Sequence, residues 1–206
     1  MGEFYSLLRK YNETLVSENL PEWTKIYLES EPPTYWVVLS KILTKYSKGS
    51  SVFEIGSGAG DIVALLRNLD FSNVIGIESD EKLARIANKK IESLFNVSES
   101  IIHDKYPIVI EKTNILIQVN CVYFENINSK QEYLNQLVTY YQNANPDVYF
   151  LEVIDNSFTE SSKIFPEYVK ISEKDIISTF KNKKIESFIT YQFPKNTSTK
   201  RLYVIS

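Results

Sequence analysis

The sequence holds one cysteine, Cys121, and one histidine, His103, and it has no excess of positive charge. A lone cysteine forms no internal disulfide, which fits a reducing cytosol. One His and one Cys are too few donors for a zinc centre of the usual ligand types, and no metal is expected. Lysine and arginine number 23 against 26 acidic residues, for a formal net charge of -3. A nucleic-acid partner asks for a basic face, so none is expected. The densest basic patch, Lys181, Lys183 and Lys184, falls at a predicted helix end, where cations are favoured anyway. No apolar run approaches the ~20 residues of a membrane helix, and the opening residues, with Glu3, Arg9 and Lys10, lack a signal-peptide pattern. The expectation is a cytoplasmic protein with no membrane partner.

What is present is ordinary in proportion and unusual in kind. Hydrophobic residues make up 43% and charged residues 24% of 206, enough for one well-buried core. A single domain over 1–206 is expected, with an N-terminal helical lid or extension over 1–48 and a core over 49–206. Aromatic residues crowd the first 46 positions: Phe4, Tyr5, Tyr11, Trp23, Tyr27, Tyr35, Trp36 and Tyr46. Such rings either pack N-terminal helices or line an organic-substrate pocket, for which Tyr11, Trp36 and Tyr123 are candidates.

The apolar spacing predicts helices over 3–17 and 21–30, with Pro21 at a first helical position, and another from Tyr35 to near Gly49. Strands follow at Val52–Ile55, Val74–Ile77, Ser100–Ile102, Ile115–Val119 and Val148–Val153, the first a run buried on both faces and Val74, Ile75 and Ile77 a second buried strand. Helices over 61–66, 80–95 and 130–143 alternate with them. A helix over about 173–181 is capped by Ser172 with Asp175 at its third position. Strands over 184–192 and 200–205, joined by a turn-rich stretch, read as an antiparallel pair. Alternation of this kind predicts an α/β, doubly wound sheet with ligands at the carboxyl ends of its strands.

The segment Val52-Phe53-Glu54-Ile55-Gly56-Ser57-Gly58-Ala59-Gly60-Asp61 is a strand, a glycine loop and a helix start. Glycines there let the backbone turn sharply and let a ligand approach without meeting a Cβ. The dinucleotide fingerprint places glycine or alanine where Asp61 stands, and no phosphate-loop lysine follows. An acid at the helix start repels a pyrophosphate, so the loop suits a nucleoside without phosphates. The next strand ends in Glu78, 22 residues after Gly56, where a carboxylate can accept hydrogen bonds from both hydroxyls of a ribose.

On these two motifs, residues 50–206 resemble the class I S-adenosylmethionine-dependent methyltransferase superfamily. The resemblance implies a Rossmann-like seven-stranded mixed sheet in the order 3-2-1-4-5-7-6, the last strand antiparallel, with helices on both faces. It implies S-adenosyl-L-methionine as cofactor. Glu54 then lies near the methionine end, Gly56, Ser57, Gly58 and Gly60 form the contact loop, and Glu78 holds the ribose. Ser79 approaches the adenine, and Asp104, after the third strand, the adenine amine. Asn120 lies near the methyl-transfer region and Tyr35 within reach of the cofactor carboxylate. The connection from Asp104 to Asn114 departs from the family in being too short for the usual helix. No amino-methyltransferase signature follows the fourth strand.

Methyl transfer from a sulfonium depends on alignment and exclusion of water; a base matters only if the acceptor arrives protonated. His103, Glu152 and Asp155 are the candidates for that role. Asp155-Asn156 also has a faint likeness to the metal-binding pair of catechol-type methyltransferases, but their other ligand is an aspartate where this chain has Asn120. The expected activity is methylation of a small organic acceptor. The alternatives are a protein- or RNA-directed methyltransferase, or a non-methyltransferase nucleoside-binding protein on the same fold.

Overall fold

The computed structural model of the chain describes residues 2–119, 121, 126–158, 165–192 and 199–206, and these fall into two compact units, Met1–Tyr106 and Pro107–Ser206. In the first, the parallel strands β1 (Ser51–Ile55), β2 (Asn73–Glu78) and β3 (Ile101–His103) lie in the order β3-β2-β1. Residues Val52 to Ile55 are all buried, as an apolar run enclosed on both faces should be. β2 differs from its expected uniform burial. Val74 and Ile77 are enclosed but Ile75 is exposed, because successive side chains point to opposite faces and one face of β2 is open at that position.

Four α-helices belong to this unit: α1 (Gly2–Thr14), α2 (Thr34–Leu43), α3 (Asp61–Asn68) and α4 (Glu81–Phe95). The first helix stops at Thr14 and gives way to a 3-10 segment, Val16–Glu18, and the helix predicted over 21–30 is instead a 3-10 segment, Glu22–Leu28. Asn19 adopts the left-handed conformation, at φ 50, and breaks the helical phase. Pro21 stands before the second segment with ψ 143 rather than inside its first turn. α2 likewise stops at Leu43, well before Gly49.

Of the N-terminal aromatics, Phe4, Tyr5, Tyr27, Tyr35 and Trp36 are core, while Trp23 is exposed and Tyr11 and Tyr46 are half-buried. Trp36 of α2 is fully enclosed, with Phe4 stacked at 6.1 Å, Tyr5 edge-on at 5.4 Å and Tyr27 at 6.4 Å. α4 starts at Asp80, whose carboxylate accepts the Leu83 N–H at 2.9 Å. Replacing Asp80 with Ala is expected to cost about 1 kcal/mol, read as a lower urea midpoint at unchanged slope.

The second unit has β4 (Ile115–Gln118), β5 (Val148–Asp155), β6 (Lys170–Ile171), β7 (Ile185–Gln192) and β8 (Thr199–Ile205), with α5 (Lys130–Ala144) and α6 (Glu173–Thr179). Their order is β4-β5-β8-β7, with β6 beside β5. β4 and β5 are parallel, and β8 is antiparallel to both β5 and β7. The final strand thus enters between its two predecessors, as expected of a 5-7-6 order, and the C-terminal pair is antiparallel as expected. β6, two residues long, adds an eighth strand that no local pattern announces. Ser172 and Asp175 form the expected capping box on α6, and no helix lies between Asp104 and Asn114. The chain is an α/β protein with a mixed sheet of Rossmann-like strand order.

Candidate functional site

The turn from β1 to α3 is made by Gly56, Gly58 and Gly60, at φ 71, 53 and 79, values that side-chain-bearing residues rarely adopt. Its entry is tied to β2, since the Gly56 and Ser57 N–H groups both donate to the Ile77 carbonyl, at 2.9 and 3.0 Å. Its middle is tied to Glu78. The Gly58 N–H donates to Glu78 Oε2 at 2.7 Å, and the Asp80 N–H donates to Oε1 at 2.9 Å. One carboxylate therefore joins the two sequence motifs.

The space around the loop explains two glycines. A Cβ on Gly76 of β2 would run into the Ser57 side chain and stand 2.9 Å from Ile101 Cδ1, so the Val-Ile-Gly-Ile-Glu pattern is dictated by the loop above it. A Cβ on Gly58 would stand 2.7 Å from Cη2 of Trp23, a half-exposed residue of the Glu22–Leu28 segment.

Around Glu78 the structure gathers Ser79, Asp104 and His103. The Ser79 hydroxyl is 3.4 Å from Glu78 Oε1. The Asp104 N–H donates to the Glu78 carbonyl at 3.1 Å, and its exposed carboxylate accepts the Lys105 N–H at 2.7 Å. His103, also exposed, is in register with Glu78.

Glu54 lies at the other side of the loop, on β1, and is 1% exposed. Its Oε2 has no hydrogen-bond partner. Burial pushes the carboxyl well above the ordinary carboxylate range, Ser57 opposes this by hydrogen bonding, and the charges of Asp61 and Glu78 push it further up. Glu54 therefore holds its proton to a higher pH than an ordinary carboxylate does.

Asp61, which opens α3, is not the bare charge that the sequence suggests. It is buried, and its Oδ1 accepts from Lys90 Nζ and from Asn12 Nδ2, both at 2.9 Å. Lys90 is fully buried; desolvation draws its ammonium pKa down while the Asp61 carboxylate and its hydrogen bond pull it back up. With that charge met by Lys90, Asp61 supplies no free repulsion against a phosphate, and the argument against a dinucleotide rests on the missing third-position glycine alone. Neither Asn12 nor Lys90 is among the residues expected to matter. Both have a legible signal: each is a polar residue inside a buried helical stripe, Phe4-Leu8-Asn12 on α1 and Leu83-Ile86-Ala87-Lys90-Ile91 on α4.

The Tyr35 hydroxyl is buried and shares a hydrogen bond with that of Tyr27. Burial, then the charge fields of Tyr35, Asp61 and Glu54, raise the Tyr27 hydroxyl well above its ordinary value. Tyr11 is half-buried. A cavity of about 50 Å³ between the N-terminal segments and the loop is lined by Asn12, Leu15, Leu20, Leu28, Ala59 and Asp61 among others. It is far below the roughly 300–1,000 Å³ of an organic-ligand site.

In the second unit Glu152 is buried in β5 and accepts the Thr190 hydroxyl at 2.6 Å. Asp155, at the end of β5, accepts the Ser157 N–H at 2.9 Å and Arg201 Nε at 2.8 Å. Burial alone would raise its pKa, but Ser157 and the Arg201 guanidinium hold it below the ordinary value. Asn120 and Tyr123 lie outside the described residues. Among the described residues no cluster of His, Cys, Asp and Glu could hold a metal ion, and no helix is long and apolar enough to cross a membrane.

No protein-family model matches the chain, and no curated protein matches it in sequence. Solved structures do match in fold. Magnesium protoporphyrin IX methyltransferase (ChlM) from Synechocystis PCC 6803, with bound SAH, superposes with a TM-score of 0.65 at 13% identity, over 97% of this chain and 98% of that one. The methyltransferase domain of bacterial CtHen1-C gives 0.62 at 11% identity, over 84% and 96%. The PH0226 protein from Pyrococcus horikoshii OT3 gives 0.59 at 16% identity, over 84% and 89%. The chain has the class I S-adenosylmethionine-dependent methyltransferase fold.

Proposed function

We propose that the protein is an S-adenosylmethionine-dependent methyltransferase acting on a small organic acceptor, working in the cytoplasm as one domain over 1–206. The observation that carries the reading is the Gly58–Glu78 hydrogen bond, because it brings the acid that ends β2 to the middle of the positive-φ glycine loop. A carboxylate held there can exchange its backbone donors for the two hydroxyls of a ribose. The buried, unpartnered Glu54 oxygen on the other side of the loop suits the ammonium of a methionine tail. A sulfonium, when bound, supplies the electrophilic methyl carbon.

The chain's own residues then bind, orient and exclude water. Glu78 and Ser79 take the nucleoside, with Asp104 beside them, while Glu54, Gly56, Ser57, Gly58 and Gly60 take the methionine end. Tyr35 contributes through its bond to Tyr27, and Asn120 follows β4. His103 remains the candidate base for a protonated acceptor. Glu152 and Asp155 act through the Thr190 and Arg201 contacts that hold them. Tyr11 and Tyr123 are the candidate acceptor contacts, and Trp36 supports them from the core.

The net charge of -3 favours a small acceptor over a nucleic acid. A thermal-shift panel tests the cofactor. SAM and SAH should raise Tm while NAD and ATP leave it unchanged, since only a ligand of the native state stabilises it. Stabilisation by NAD instead would sink the proposal. In the same assay Glu78→Ala should weaken SAH binding by about 1–3 kcal/mol, the loss of a charged hydrogen-bond partner; unchanged affinity would remove Glu78 from the site.

A further inference from the structure

We propose that Trp23 is a built-in competitor for the cofactor, holding the open face of Gly58 until the nucleoside displaces it. The inference rests on the cofactor reading above and concerns the same loop. A glycine at φ 53 without a Cβ leaves a face that only a ligand or another side chain can use. Here the user is Trp23. Three carbons of its six-membered ring, Cη2, Cζ3 and Cζ2, stand 2.7, 3.1 and 3.9 Å from the place a Cβ would take. A ligand lying on Gly58 meets the same ring atoms, so indole and ligand exclude each other.

The segment that carries Trp23 is pinned on either side of it. On one side Lys82 Nζ donates to the Glu18 carbonyl, and Leu15 and Leu20 pack on Ala59, Leu83 and Ile86. On the other, Tyr27 is fixed by its hydrogen bond to Tyr35. Trp23 lies between these anchors on a 3-10 segment, beyond the left-handed Asn19, and is 52% exposed. Half its surface is already in water, so leaving Gly58 forfeits only part of a tryptophan's burial. A face occupied most of the time lowers apparent affinity by the fraction of molecules in which it is free. The device therefore sets the cofactor concentration at which the enzyme loads.

Two measurements on the full chain test this, with SAH as the probe. The first is calorimetric affinity for wild type and Trp23→Ala. Removing the ring should tighten binding about tenfold, the value for a face free in one molecule in ten. The second is acrylamide quenching of tryptophan fluorescence in the wild type. The sequence has two tryptophans, and Trp36 is fully enclosed, so quenching reports Trp23. Saturating SAH should increase it as the indole leaves the loop. Equal or weaker binding by Trp23→Ala, or quenching that falls on saturation, overturns the competitor while leaving the cofactor reading intact. SAH binding to neither protein overturns both.

Discussion

Replacing Lys90 with Met should lower stability by about 3–5 kcal/mol. Lys90 and Asp61 are both buried, at 0% and 4% exposure, with Nζ and Oδ1 2.9 Å apart. Removing the ammonium leaves the Asp61 carboxylate in a low-dielectric site with only the Asn12 amide beside it. Breaking such a pair costs far more than the pair contributes, because the surviving charge has lost its water and its partner. The double variant Asp61→Asn, Lys90→Met removes both charges and keeps the volumes, so it should recover a large share of the loss. Chemical denaturation of wild type, both single variants and the double variant measures the coupling. Additive losses would mean that the two groups act independently and that the pair does not anchor the start of α3.

The contrast between Lys90 and Trp23 shows which parts of the site were legible in advance. Patterns confined to one element could be read directly. The glycine loop, the acid at the end of β2, the Ser172–Asp175 box and the antiparallel C-terminal pair all follow from local geometry. Lys90 and Asn12 were readable too, as polar breaks in apolar helical stripes, but only once burial is taken to require a partner. Trp23 carries no such signal. It sits in a 3-10 segment that mimics helical spacing, and its contact with Gly58 spans 35 residues of chain. The exposure of Ile75 has a related cause. An apolar run says which residues tolerate burial, whereas the neighbouring layers decide which face receives it.

Cofactor affinity should rise with pH above the ordinary carboxylate range, and Glu54→Gln should abolish that dependence. Burial first, and then the negative fields of Asp61 and Glu78, hold the Glu54 carboxyl well above its ordinary value of 4.5, against hydrogen bonding from Ser57. The neighbouring Tyr27 hydroxyl stays neutral because its own pKa is raised. Glu54 in the free protein thus keeps its proton to a higher pH than an ordinary carboxylate, and over that range the cofactor's ammonium must expel it before an ion pair forms. Binding releases a proton, and association strengthens as pH rises toward the carboxyl's own pKa. Above roughly 7.7–8.0 the ligand's amine begins to lose its charge and the gain ends. Calorimetry in buffers of differing ionisation enthalpy reads the released proton directly.

Stability follows the opposite course. A carboxyl whose folded pKa is raised binds its proton more tightly in the native state, so folding weakens as pH climbs from about 4.5 toward the folded value. Glu54→Gln should match the wild type in stability near pH 4 and exceed it at pH 8, while binding cofactor more weakly there. A wild-type affinity that stays flat as pH rises from about 4.5, with no proton released, would show that Glu54 does not meet the ammonium.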